Sequence, residues 1–270
     1  MADGEVMHRQ RILSALLLIP PFLFLVRFGS SLHFALLVGL AIGLAAWEFS
    51  RLCPAGTDPG LSLGTVAGAL AWHAALSLTG GVAAVAAAVG GAALLWVTLL
   101  RTDFRVGLLQ AAWIVLGIVY VGGLLSFASL LRALPEGRQL IYYLACTTWA
   151  GDIGAFYVGG RFGRRPLLPR ISPKKTVEGA LGGILATIVV AMAGSIWIWP
   201  RLGWAPAGVV ALLLSVVGIL GDLCESAVKR GAGAKDSGSL IPGHGGVLDR
   251  LDSLMFAGPV LYALVWSGWV

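Results

Sequence analysis

Apolar runs, each about as long as a bilayer is thick, alternate with short polar or glycine-rich connections along the whole chain. The runs lie near 12–27, 31–47, 61–79, 81–100, 107–131, 139–159, 177–199, 206–226 and 252–269. A helix needs about 20 apolar residues to cross the hydrocarbon core. The pattern therefore predicts an all-α, polytopic integral membrane protein with about nine transmembrane helices. Pro20-Pro21 predicts a kink in the first run, which has the option of forming a re-entrant hairpin with the second. Around Gly80-Gly81 the chain fits either two crossings or one long tilted element. The first run is read as a retained anchor, because no small-residue cleavage site follows it.

Composition sharpens this picture. Of 270 residues, 58% are hydrophobic and 12% charged, against about 25% charged in soluble domains. That leaves no room for a soluble domain of any size. The 38 glycines suit close helix packing in lipid. Cys53, Cys146 and Cys224 are too few and too scattered for a disulfide framework or a thiolate metal site. With nine spans and a cytoplasmic N-terminus, only Arg27, Arg132, Arg138 and Arg201 face away from the cytoplasm. Every other Lys and Arg faces it, as the positive-inside rule requires. The net charge of +6 is then mostly a cytoplasmic surface effect. Nothing in the chain resembles a nucleic-acid module. If the protein self-associates, a two-fold homodimer is the commonest arrangement.

The acidic residues divide into two groups. Asp3, Glu5, Glu48, Asp58, Asp103 and Glu136 fall in the N-terminal tail, in loops or at span ends, as solvated surface acids do. Asp152, Glu178, Asp222, Glu225, Asp236, Asp249 and Asp252 lie inside or beside apolar runs, where a charge costs at least about 2.5–3.5 kcal/mol near the bilayer centre. The topology brings Asp152, the Asp222/Glu225 pair and the Asp249/Asp252 pair to one depth near the cytoplasmic face. Asp222, Glu225 and Lys229 follow i, i+3, i+7 spacing on one helical face, and Asp249 and Asp252 stand at i, i+3. Converging carboxylates repel unless neutralised. A divalent ion does this, and hard oxygen ligands favour Mg²⁺ over Zn²⁺, with the option of a second cation. An ion-pair network with Lys229, Arg230 and Arg250 is the alternative. The division predicts a transmembrane scaffold over 1–138 and a catalytic region over 139–270.

Two basic connections stand among these acids. One reads Ile171-Ser172-Pro173-Lys174-Lys175-Thr176-Val177-Glu178-Gly179. Thr176 is placed to cap a helix, and Lys174 and Lys175 sit beside that helix start. Such a site binds anions, and an ordinary positive-inside loop with a capped helix fits the same residues. The other connection runs from Ser226 to Asp252 and holds Lys229, Arg230, Lys235, Asp236, His244, Asp249 and Arg250 among many glycines. Glycine lets backbone approach a ligand closely, the bases suit phosphates and the acids suit the accompanying metal. It is not a P-loop, which needs Gly-x-x-x-x-Gly-Lys-Ser/Thr after a strand.

The stretch Ser226…Lys229-Arg230…Lys235-Asp236…Pro242…His244-Gly245-Gly246…Asp249-Arg250…Asp252 resembles the signature of the phosphatidate cytidylyltransferases, or CDP-diacylglycerol synthases. A second block is similar to that family too: Gly151-Asp152 through Phe156-Tyr157, then Ser172-Pro173-Lys174-Lys175-Thr176 and Glu178-Gly179. The resemblance covers about residues 147–257. Ile153 departs from the family's frequent threonine, and Arg164-Arg165-Pro166 from a more lysine-rich run.

The resemblance implies an enzyme of phospholipid biosynthesis in the bacterial inner membrane, its site facing the cytoplasm. CTP and phosphatidic acid would give CDP-diacylglycerol and pyrophosphate with Mg²⁺. It puts Asp222 and Asp249 forward as direct metal ligands, with Asp252, Glu225 and Asp152 as further ones. Asp222, Lys229, Asp249 and Asp252 would carry the chemistry. Arg230 and Lys235 would hold CTP phosphates or pyrophosphate. Ser172, Lys174, Lys175, Asp236, His244 and Arg250 would contact nucleotide or lipid headgroup. The rivals are a CTP-dependent lipid-alcohol kinase, a phosphatidyltransferase and a cation-coupled transporter. The orientation predicts that alkaline phosphatase fused after Val270 is active and fused after Lys235 is inactive; the reverse result overturns a cytoplasmic N-terminus.

Overall fold

The computed structural model describes residues 16–79, 90, 103–240 and 245–270. Its helices are α1 (Leu16–Phe28), α2 (Ser31–Ser50), α3 (Pro59–Thr79), α4 (Phe104–Ala133), α5 (Gly137–Phe162), α6 (Val177–Trp197), α7 (Trp204–Gly231) and α8 (Leu248–Trp266). Each coincides with one predicted run. The run at 81–100, and with it the question of one element or two around Gly80-Gly81, lies outside the described residues except for Gly90. By length and composition α2, α4, α6 and α7 are able to cross a membrane. The chain is an all-α membrane protein.

One connection departs from the loop expected of it. After α5 the chain forms an antiparallel hairpin of β1 (Pro166–Leu168) and β2 (Ser172–Thr176), with Pro166 opposite Thr176 and Leu168 opposite Ser172. Pro166 and Pro173 lack backbone donors, which a two-stranded ribbon tolerates because both strands are edges. β2 runs straight into α6. The Thr176 side chain accepts the Gly179 N–H at 3.1 Å and caps that helix, as its position predicts. Glu178, in the first turn, accepts the N–H groups of Arg164 and Arg165 at 3.0 and 3.1 Å, tying the start of the hairpin to the start of the helix.

The described residues form two compact units that interleave in sequence. One comprises the chain up to Leu130 together with Gly231–Leu251, and the other Leu131–Arg230 with Asp252–Val270. In the first, α2, α3 and α4 pack through polar and aromatic contacts. Phe49 stacks on Trp113 at 4.8 Å, and the indole N–H donates to the Phe49 carbonyl at 2.9 Å. The His73 ring bridges Ser126 Oγ (2.9 Å) and the Ala35 carbonyl (3.0 Å). α4 takes a π-helical turn over Ile118–Gly123. There a Cβ on Gly122 would lie 2.8 Å from the Ala69 backbone.

In the second unit α5 and α6 meet along facing rows of small residues. Gly151, Ala155 and Gly159 of α5 oppose Gly179, Gly183 and Thr187 of α6. A Cβ on Gly183 would lie 2.8 Å from the Gly151 carbonyl oxygen, and one on Gly179 3.0 Å from that of Ala155. The Thr187 hydroxyl donates across the seam to the Thr147 carbonyl at 3.2 Å. Lipid gives helices no hydrophobic reason to associate, so close backbone approach and such hydrogen bonds hold the pair. A Cβ on Gly154 would lie 2.5 Å from Ala186 Cβ, whereas one on Gly160, in the same helix, meets nothing within 4 Å. Gly154→Ala is therefore expected to destabilise the detergent-solubilised protein by about 1–3 kcal/mol. Gly160→Ala is expected to be neutral or stabilising by up to about 1 kcal/mol. Thermal unfolding of the two variants side by side checks the contrast.

Candidate active site

α7 and α8 come together where their side chains are small. A Cβ on Gly221 would lie 2.6 Å from the Asp252 carbonyl oxygen and 2.8 Å from the Phe256 ring. At Gly218 the contact is looser, with a Cβ there 3.7 Å from Ser253 Cβ. This approach sets Asp222 and Glu225 of α7 beside Asp252 of α8, with one carboxylate oxygen from each within 4.8 Å of the others. Glu225 is 1% and Asp252 8% exposed. Asp152 of α5 accepts a hydrogen bond from Ser253, the residue after Asp252, at 3.4 Å.

Two lysines offset part of the group's charge. Lys229, one turn after Glu225, pairs with it along the α7 face that the i, i+3, i+7 spacing indicates. Lys175, on β2, pairs with Asp222. Arg230 donates from Nε to the Ile171 carbonyl at 3.2 Å, so α7 also holds the turn of the hairpin that presents Lys175. Lys174 is exposed on the same strand, as are Lys235 and Asp236 beyond α7. The donor set is all oxygen, the ligand chemistry that hard divalent cations take. The residues fit a hard divalent cation.

Asp249 has different partners. Its carboxylate accepts the Ser237 N–H at 3.1 Å and the Gly246 N–H at 2.9 Å, so it closes the glycine-rich segment. Arg250 follows it on the exposed side of α8. Pro242 and His244 lie outside the described residues.

Glu48 overturns the expectation of a solvated surface acid. It is 0% exposed, and it accepts the N–H groups of Val247 (3.0 Å) and Leu248 (2.8 Å) and the hydroxyl of Ser237 (3.2 Å). Its place at the end of an apolar run suggested solvent. The contrary signal was its flanks, Trp47 and Phe49, which continue the apolar helix past it. Its partners stand almost 200 residues away, so no local pattern reveals them.

The chain is similar in sequence to known proteins. Residues 9–267 match the model of the cytidylyltransferase family. A Pseudomonas aeruginosa protein named phosphatidate cytidylyltransferase is 38% identical over 274 residues, which is 97% of this chain and 99% of that one. Proteins of the same name from Bacillus subtilis and Staphylococcus saprophyticus are 41% and 39% identical. The matched parts are 58% and 61% of those proteins' lengths. The chain belongs to the cytidylyltransferase family.

If the clustered carboxylates hold a cation, removing one charge has opposite effects with and without metal. Asp252→Asn relieves repulsion among the three groups. In EDTA its melting temperature is expected to equal or exceed that of the unsubstituted protein. The rise in melting temperature on adding Mg²⁺ is expected to disappear. An undiminished Mg²⁺ response rejects Asp252 as a ligand.

Proposed function

We propose that the chain transfers the cytidylyl group of CTP to phosphatidic acid, giving CDP-diacylglycerol and pyrophosphate. The observation that carries this reading is the gathering of Asp222, Glu225 and Asp252, with Lys175 paired to Asp222 and Lys229 to Glu225. The likeness to the Pseudomonas protein over nearly the full length of both chains supports it.

An anionic oxygen of the lipid phosphate forms a bond to the α-phosphorus of CTP. The bond from that phosphorus to the bridging oxygen breaks, and pyrophosphate leaves with the electron pair. The nucleophile is already ionised, so no strong general base is required. Rate then comes from orientation and from neutralising charge. Mg²⁺, held by Asp222, Glu225 and Asp252 with Asp249 and Asp152 as further candidates, would neutralise charge on the CTP phosphates. Lys229, Arg230 and Lys235 bind the nucleotide phosphates and the departing pyrophosphate. Ser172, Lys174 and Lys175 on the hairpin receive the phosphatidate headgroup or the nucleotide. Asp236, His244 and Arg250 complete the substrate contacts from the glycine-rich segment.

With nine crossings and a cytoplasmic N-terminus in the bacterial inner membrane, this site faces the compartment that holds CTP. The catalytic groups then belong to residues 139–270. The apolar remainder gives the diacyl chains a sideways path from the leaflet.

Purified protein in detergent is expected to release pyrophosphate only when CTP, Mg²⁺ and phosphatidic acid are all present, with CDP-diacylglycerol formed. CDP formation from CTP and a lipid alcohol, without pyrophosphate, would reject this reading in favour of a lipid kinase.

A further inference from the structure

We propose that Glu48 is a positioning residue for nucleotidyl transfer, acting from α2 on the glycine-rich segment that carries the nucleotide-binding groups; this deepens the cytidylyl-transfer reading and rests on it. Its fully buried carboxylate grips both ends of that segment at once. Oε2 accepts the Ser237 hydroxyl at one end and the Leu248 N–H at the other, while Oε1 accepts the Val247 N–H. Asp249 ties the same ends through the N–H groups of Ser237 and Gly246. The backbone is fitted to the carboxylate. A Cβ on Gly238 would lie 2.6 Å from Glu48 Oε1, and one on Gly246 2.5 Å from Oε2. These two glycines are required because the carboxylate occupies the space a side chain would need.

Apolar packing alone would bury this end of α2 without the desolvation cost of a carboxylate. An acid there fixes the direction of three donors, and it sits at the positive end of α8. The donors lie just after Lys235-Asp236 and at the helix start just before Asp249-Arg250, one turn ahead of Asp252. Glu48 thus holds the chain next to Lys235, Asp236 and Arg250, three of the groups assigned to substrate, without touching substrate itself. The N-terminal helices thereby gain a part in catalysis.

Glu48→Gln keeps the shape, but it places an amide NH₂ against backbone donors. Steady-state pyrophosphate release is measured against CTP and against phosphatidic acid, with hydrogen–deuterium exchange on the same samples. The expected result is a fall of about tenfold or more in kcat/KM for CTP, expressed in the CTP KM. The KM for phosphatidic acid stays within about twofold. Exchange rises in peptides covering Ser237–Arg250 and is unchanged across α5 and α6. Ser237→Ala is expected to move the same quantities less far. An unchanged CTP KM in Glu48→Gln overturns the proposal. So does lower turnover with both KM values unchanged and exchange raised in every helix, which marks a merely structural residue. Should Glu48→Gln fail to fold, an unchanged CTP KM in Ser237→Ala overturns it instead. If the unsubstituted protein fails to turn over CTP with phosphatidic acid, the functional reading falls. The exchange comparison still decides whether Glu48 holds the segment.

Discussion

In a chain this apolar, every buried polar group has to find its partner within the protein, because lipid offers none. That constraint shapes the structure more than any single contact. Hydroxyls of Thr65, Thr147, Thr148 and Ser215 donate back to carbonyls of their own helices. Glu178 takes the N–H groups that precede the hairpin. Glu48 and Asp249 take those around the glycine-rich segment. The polar groups behave as fasteners between stretches of chain that the hydrophobic effect cannot sort.

Glycine works on the same problem from the other side. Along α5 and α6 it brings backbones close enough for dispersion and for the Thr187–Thr147 bond to act. At Gly221 it gathers carboxylates, since the approach of α8 brings Asp252 beside Asp222 and Glu225. At Gly238 and Gly246 it makes room for a carboxylate. A composition of 38 glycines announces close packing, but it does not say which glycine serves which purpose.

Much of this organisation was legible in the sequence. Long apolar runs carry their own signal, and α1–α3 and α4–α8 each stand on one. The i, i+3, i+7 spacing placed Asp222, Glu225 and Lys229 on one face, and the Glu225–Lys229 pair lies on it. Thr176 was readable as a cap because capping is local. The hairpin was not, since Pro166–Leu168 and Ser172–Thr176 are too short and too polar for a period-2 pattern to stand out. Glu48 was misread because burial depends on what packs against a residue. Its partners lie at the far end of the chain, where spacing rules do not reach.

The acids sort by the kind of partner each has, and that sorting bears on function. Glu48, Asp249 and Glu178 are held by backbone N–H groups, which cannot leave without unmaking a turn or a helix start. Asp222 and Glu225 are paired instead with Lys175 and Lys229, whose ammonium groups ride on flexible four-carbon stems. A lysine partner is able to swing aside and give its place to another cation, or to follow a phosphate that arrives with one. A backbone partner cannot. Carboxylates that must exchange partners during a reaction therefore belong in the second class and those that hold the site's shape in the first. Asp222 and Glu225 have the lysine partners of the second kind, whereas Glu48 and Glu178 have the backbone partners of the first.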